Sequence, residues 1–152
     1  MVMNILKIRK ATEDDFPCWI KMRKELWPKA GFDELKNVEH LYKGSQFACF
    51  FAEHKSQSIG FIELTIRPYV NGCDSSPVAF VEGIWVDEKF QKHGIGRALI
   101  KKAEEWAQSL SVKELASDTR IESEHSIHAH KSWGFEETER VVYFKKTLAE
   151  QT

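Results

Sequence analysis

The tightest constraint on how this chain can fold lies between residues 78 and 110. Val78–Val86 reads as a buried strand of Val, Ala, Phe, Ile and Trp, interrupted by Glu82 and Gly83. Residues 96–110 set Leu99, Ile100, Ala103, Trp106, Ala107 and Leu110 on one face at helical spacing. Between them runs Gln91-Lys92-His93-Gly94-Ile95-Gly96-Arg97-Ala98. Glycine lets backbone approach a ligand closely and take dihedrals that other residues avoid. A helix amino terminus adds unpaired N–H groups and the positive end of the helix dipole. Strand, glycine turn and helix in this order make an anion site suited to a pyrophosphate, to which Lys92 and Arg97 add charge. Taken alone, the Gly94-x-Gly96 pattern fits a tight turn that merely needs glycine equally well. No Gly-Lys-Ser/Thr follows, and the third glycine of the dinucleotide pattern is missing.

The rest of the chain reads as one domain over residues 1–152. Residues 4–10 form a first strand. Thr12-Glu13-Asp14-Asp15 caps a helix that reaches Trp27 and stops at Pro28. A shorter helix spans 33–42. Strands at 47–53 and 58–67 form a hairpin about a polar turn, and Asn71-Gly72 marks a loop over 69–77. A short strand at 114–116, a helix at 123–133 ended by Gly134, and a last strand at 135–146 complete the order. The pattern predicts an α/β (α+β) fold with a mixed sheet and helices on its faces. The strand at 78–86, its helix and the strand at 114–116 form a βαβ unit.

Charge excludes some classes of partner. Lys plus Arg is 22 and Asp plus Glu is 23, for a formal net charge of -1. Residues 1–76 hold 11 basic and 10 acidic side chains, and residues 77–152 hold 11 and 13. Neither half is a polycation, which disfavours nucleic-acid binding by bulk charge and a polybasic membrane anchor. The three cysteines, Cys18, Cys49 and Cys73, are widely spaced and lack a C-x-x-C pair. They read as free thiols in a reducing compartment, and the expected location is the cytoplasm. His125, His128 and His130 bring no third ligand at convincing spacing, so no metal is expected.

The Gln-x-x-Gly-x-Gly turn between that strand and helix, with Gly134-Phe135 after a later helix, resembles the GNAT acetyltransferases. The resemblance implies the GNAT fold, a mixed and mostly antiparallel central sheet flanked by helices. It implies acetyl-CoA as cosubstrate, its pyrophosphate held by backbone N–H groups of Lys92, His93, Gly94, Ile95, Gly96 and Arg97. The pantetheine arm would run beside Ile84, Trp85 and Val86, and Ser123 would stand where the family has an Asn near the coenzyme. A family tyrosine four residues before the glycine is replaced here by His130, a candidate to protonate the leaving thiolate.

A closer resemblance is carried by Leu26-Trp27-Pro28, Tyr69-Val70-Asn71-Gly72, Ser75-Ser76-Pro77-Val78, Phe80-Val81-Glu82-Gly83-Ile84, Ala116-Ser117-Asp118 and Gly134-Phe135-Glu136-Glu137-Thr138-Glu139-Arg140-Val141. These segments, in this order, are similar to the aminoglycoside 6'-N-acetyltransferases. That implies transfer of acetyl to the 6'-amine of an aminoglycoside, antibiotic resistance and a homodimer. Trp27, Tyr69, Glu82, Asp118 and Glu139 would bind the aminoglycoside, and Glu82 and Asp118 would orient its ammonium and accept the proton.

The residues support such roles and also plainer ones. Glu82 lies in an apolar strand, where a carboxylate is costly unless paired. Read singly, Trp27 packs under a helix, Tyr69 anchors a loop, Glu82 is a paired structural acid, Asp118 caps a turn, and Glu137 and Glu139 are solvated strand faces. No Cys-His pair argues for an acetyl-enzyme, so direct attack by the amine in a ternary complex is expected. Two rivals share the coenzyme half: an acetyltransferase for another polyamine or a protein amino terminus, and a catalytically silent coenzyme-binding module.

Overall fold

A computed structural model describes residues 6–29 and 34–150 of the chain. The elements are β1 (Leu6–Lys10), α1 (Phe16–Leu26), α2 (Glu34–Lys43), β2 (Phe47–His54), β3 (Gln57–Arg67), β4 (Val78–Val86), α3 (Ile95–Ser109), β5 (Leu115–Ser117) and α4 (Glu124–Ser132). The expected starts of the first strand, at residue 4, and of the second helix, at residue 33, lie outside the described residues. The sheet order is β1-β2-β3-β4-β5. The first three pairings are antiparallel and β4–β5 is parallel, as the strand–helix–strand reading requires. A tight turn of Lys55 and Ser56, both at positive φ, joins β2 to β3.

Alternation along the strands sorts the core into two layers. Ala48, Phe50, Ala52, Ile62, Leu64 and Val81 pack against Ile95, Leu99, Ile100 and Ala103 of α3. Cys49, Phe51 and Phe61 pack against Trp19 and Met22 of α1 and Val38 of α2. Two irregularities break the alternation. Ala52 pairs with Gly60 and Glu53 with Ser58, leaving Ile59 as an extra residue. Glu63 pairs with Gly83 and Leu64 with Val81, leaving Glu82 as an extra residue on β4. The second is a β-bulge, a device that re-aims a side chain.

The expected strand over 135–146 is not formed. Residues 136–150 carry no regular secondary structure and are exposed. Their composition suits a strand, but a strand exists only where a ladder partner supplies hydrogen bonds. Among the described residues no segment of this chain lies alongside to do so. Val142, Tyr143, Phe144 and Leu148 are 78–92% exposed as a result. No helix among the described residues is long and apolar enough to cross a membrane.

The entry into α1 is fastened by charge. Arg9 donates to both Asp15 carboxylate oxygens at 2.6 and 2.7 Å and to Glu53 at 2.5 Å. The Thr12 N–H also donates to Asp15 at 2.7 Å. Arg9, ahead of the opposing effect of burial, holds the Asp15 carboxyl below its usual range. In the unfolded chain that carboxyl returns to about 3.9, so the unfolded state protonates first as pH falls. The stabilisation is complete above about pH 4 and is lost as pH drops through the depressed value. Asp15→Asn is expected to cost about 2 kcal/mol near neutral pH and to flatten the loss of stability below about pH 4, read by urea denaturation.

Candidate active site

β4 keeps its ladder with β3 from Val78 to Val86, but pairs with β5 only at Ala79, Phe80 and Val81. Beyond Val81 the edge of β4 that faces away from β3 has no ladder partner among the described residues. Along Ile84–Val86 the backbone groups that point away from β3 therefore lie on an open edge, which suits an extended ligand arm with amide groups. The Gln91 side chain donates to the Val86 carbonyl at 3.1 Å and ties the end of β4 to the loop that follows.

That loop turns on two left-handed residues, Lys92 at φ 66° and Gly94 at φ 82°. Gly94 is the N-cap of α3, and a Cβ placed on it would meet nothing within 4 Å. Space is open beside Gly94, and helix geometry leaves the first-turn N–H groups of Ile95, Gly96 and Arg97 without internal partners. A Cβ on Gly96 would come within 2.7 Å of the Trp133 indole. Arg97 donates to the Ser132 carbonyl at 2.7 Å. Gly96 and Arg97 thus dock the end of α4 onto the start of α3. His93 is half-buried, whereas Lys92 is exposed. Ser123 stands at the opposite end of α4 as its N-cap, and its hydroxyl makes no capping bond. Open space, unpaired N–H groups and a basic rim fit an anion such as a pyrophosphate.

Glu82 and Asp118 each follow the last β4–β5 pair, Val81 with Ser117, so both positions lie where the strands part. The bulge sends the Glu82 side chain toward β3. It accepts from Thr65 Oγ1 at 2.5 Å and from Arg67 at 2.9–3.1 Å. Arg67 lies 3.6 Å over the Phe80 ring. The apolar strand therefore carries its carboxylate because Arg67 and Thr65 compensate it. Asp118 is exposed.

Trp27 follows α1 directly and rests on Gly83, where a Cβ would lie 2.6 Å from the indole ring. It is thus adjacent to Glu82 and on the same face. Tyr69 and Glu139 are not brought against these three. Tyr69 is 75% exposed in the loop after β3, and Glu139 lies on the exposed segment beyond α4. The two regions approach one another through Gly72, whose missing Cβ makes room for Thr138. The 69–77 loop is held by Glu114, which accepts from the Asp74 and Ser75 N–H groups at 2.9 and 2.7 Å and from the Ser75 hydroxyl. Cys73, also beside Glu114, has its thiol pKa raised, first by burial and then by that carboxylate.

His130 is held at both ring nitrogens. Nδ1 lies 2.7 Å from the Ser126 carbonyl, an acceptor only, so Nδ1 carries the proton. Nε2 then accepts the Ser117 hydroxyl at 2.8 Å. The ring stands 5.2 and 5.4 Å from Trp133 and Phe135. Ser117 and Arg67 escape the sequence reading because each acts through a partner far away in the chain. Glu63, buried in β3 at 2% exposure, also escaped it, although a carboxylate between Ile62 and Leu64 is the same signal that singled out Glu82.

A cavity of about 320 Å³ is bordered by Lys10, Trp19, Tyr42, Phe47 and Trp106, none of them a candidate site residue. Among the described residues no three His, Cys, Asp or Glu side chains come together as metal ligands.

Residues 6–135 match the model of the acetyltransferase (GNAT) family. The chain is 41% identical to an aminoglycoside N(6')-acetyltransferase type 1 of Stenotrophomonas maltophilia, over 97% of each chain. It is 39% identical to one of Salmonella enteritidis, over 93% of this chain and 99% of the relative. Among solved structures, AAC(6')-Iy in complex with the bisubstrate analogue CoA-S-monomethyl-acetylneamine superposes with a TM-score of 0.90. The identity is 39%, with 94% of this chain and 99% of that one covered. AAC(6')-Ih from Acinetobacter baumannii gives a TM-score of 0.89 at 36% identity, over 95% and 99% of the two chains.

The packing at the start of α3 separates the two glycines. Gly96→Ala is expected to lose about 1–3 kcal/mol by overpacking against Trp133. Gly94→Ala is expected to lose about 1–2 kcal/mol through left-handed strain alone. Denaturant unfolding of each variant checks both, and Trp fluorescence should change only for Gly96→Ala.

Proposed function

The chain belongs to the acetyltransferase (GNAT) family, and from that premise we propose that it transfers acetyl from acetyl-CoA to the 6'-amine of aminoglycosides. The observation that carries the reading is the open edge of β4, with Glu82 and Asp118 placed where β5 leaves it. A polycationic sugar would find carboxylates there and the Trp27 ring beside them. The long similarity to enzymes named for this reaction supports the same substrate class. The reaction serves aminoglycoside resistance, in the cytoplasm.

Acetyl-CoA supplies the activated thioester. Backbone N–H groups of residues 92–97 hold its pyrophosphate, and the edge of Ile84, Trp85 and Val86 guides its arm, with Ser123 alongside. Glu82 and Asp118 orient the substrate ammonium, and its proton leaves through them to water. Holding and positioning the ammonium is their main contribution. The free amine attacks the carbonyl carbon directly. A C–N bond forms, the C–S bond breaks, and the electron pair leaves on sulfur. A backbone N–H near Val86 meets the charge on the carbonyl oxygen. The attacking nitrogen gives up its second proton to the Ser117–His130 pair, which passes it on to the departing thiolate. Cys73 remains a thiol, because burial and Glu114 raise its pKa, which supports direct attack over an acetyl-enzyme.

Tyr69, on the 69–77 loop, and Glu139, after α4, would reach the bound sugar from the two exposed segments that meet at Gly72 and Thr138. That segment also supports a homodimer. Its exposed Val141, Val142, Tyr143, Phe144 and Leu148 and its unpaired backbone would be satisfied by strand pairing with a second copy. Sedimentation of the full chain is expected to give a dimer, and Phe144→Asp with Val142→Asp a monomer. A monomeric parent chain would end that reading.

Release of CoA thiol is the test of activity. It should appear with kanamycin or tobramycin and not with spermine or peptide amines. Release with peptides alone would instead identify a protein acetyltransferase. Glu82→Gln is expected to lower aminoglycoside kcat/KM about tenfold or more with acetyl-CoA KM nearly kept. His130→Ala should lower kcat, while Cys73→Ala should leave turnover intact.

A further inference from the structure

α1 carries a buried ionic cluster that the acetyl-transfer chemistry leaves unused. Glu63 projects from the middle of β3 toward α1. The Trp19 indole N–H donates to its Oε1 at 2.7 Å, and Arg23 Nη1 donates to the same oxygen. Arg23 Nε donates to Glu34 of α2 at 2.8 Å. The Arg23 and Glu63 side chains are 7% and 3% exposed. Burial is the largest influence on the Glu63 carboxyl and raises its pKa, against the pull of Arg23 and the Trp19 N–H.

Fastening a helix to a sheet does not require such a cluster. Apolar side chains of similar volume often hold as well or better, because burying ions is costly. Trp19 and Met22 already bury α1 against Phe51 and Phe61. What the cluster adds is a fixed charge at a defined place. The Arg23 guanidinium carbon lies 4.9 Å from the centroid of the Trp27 ring, within cation–π range. The Arg23 carbonyl accepts the Trp27 N–H at 2.8 Å. Gly83, on which the Trp27 ring rests, is the cross-strand partner of Glu63. Trp27 is the C-cap of α1, just before Pro28: its N–H closes the last bond of the helical ladder, while its φ of -126° and ψ of 68° leave the helix.

We infer that Arg23 and Glu63 are positioning residues that set the plane of Trp27, and through it the affinity for the acceptor sugar. The inference rests on the reading of Trp27 as a wall of the aminoglycoside site. Glu63 orients Arg23, Arg23 orients the indole, and Gly83 leaves room for it beside Glu82.

The test uses the full chain with Arg23→Lys and, should that variant unfold, the isosteric Glu63→Gln. Each is made alone and in a Trp27→Phe background, and folding is verified by circular dichroism. Aminoglycoside KM is expected to rise about fivefold or more while acetyl-CoA KM stays within about twofold. The rise should largely vanish in the Trp27→Phe background, since the coupling runs through the indole. An unchanged aminoglycoside KM, or an equal rise in both backgrounds, would overturn the inference. A ligand-free readout separates it from the substrate assignment. In 15N-tryptophan-labelled protein the Trp27 indole resonance, assigned by its loss in Trp27→Phe, should shift in Arg23→Lys or Glu63→Gln. An unmoved resonance overturns the positioning role whatever the substrate. Absence of aminoglycoside turnover in the parent chain with a shifted resonance would sink only the substrate reading.

Discussion

The early parting of β4 from β5 is the constraint on which the candidate site depends. Three pairs hold the parallel strands together, and beyond Val81 the backbone of β4 is left open on one side. An exposed row of N–H and C=O groups is costly in a closed core but useful beside a cleft. α3 begins just past the open end of β4, so its unpaired first-turn N–H groups face the same region. The antiparallel ladder to β3 keeps β4 straight enough to hold that edge, and the bulge at Glu82 turns a carboxylate out of the apolar alternation. Backbone irregularity and side-chain chemistry coincide at one position of the sheet.

Two carboxylates on the same face of the sheet show how burial divides roles. Glu63 is sealed under α1, where its partners are fixed by packing. Glu82 is compensated by Arg67, and both members of that pair remain partly exposed, at 29% and 41%. Solvent screens such a pair and lowers the cost of exchanging one cation for another. Of the two, Glu82 is the one whose cation is open to exchange. The net charge of -1 conceals this arrangement, because it averages the basic loop against acids gathered elsewhere.

Local patterns made most of the elements legible. The apolar stripe of α3, the apolar run of β4 and the cap and acids before α1 each depend on neighbours in the chain, and each formed close to its expected bounds. The strand expected over 135–146 depends on a partner at a distance, and composition cannot report whether one is present. Glu82 was visible as a charge in an apolar strand, whereas Arg67, its compensating ion, sits on another strand. Trp27 became a site candidate through family resemblance. Its seat on Gly83 emerges only when α1 is laid across β4.

The sequence by itself determined the glycine turn, the amphipathic helix behind it, the strands and the family, because those signals are written in residues a few positions apart. Tertiary structure alone decided that β5 leaves β4 after three pairs, that Glu82 occupies a bulge, that His130 Nε2 meets the Ser117 hydroxyl, and that Arg23 bridges Glu63 to Trp27. Each of these joins groups from separate elements. Register, packing and hydrogen-bond satisfaction across the sheet settle such contacts, and no local pattern carries them.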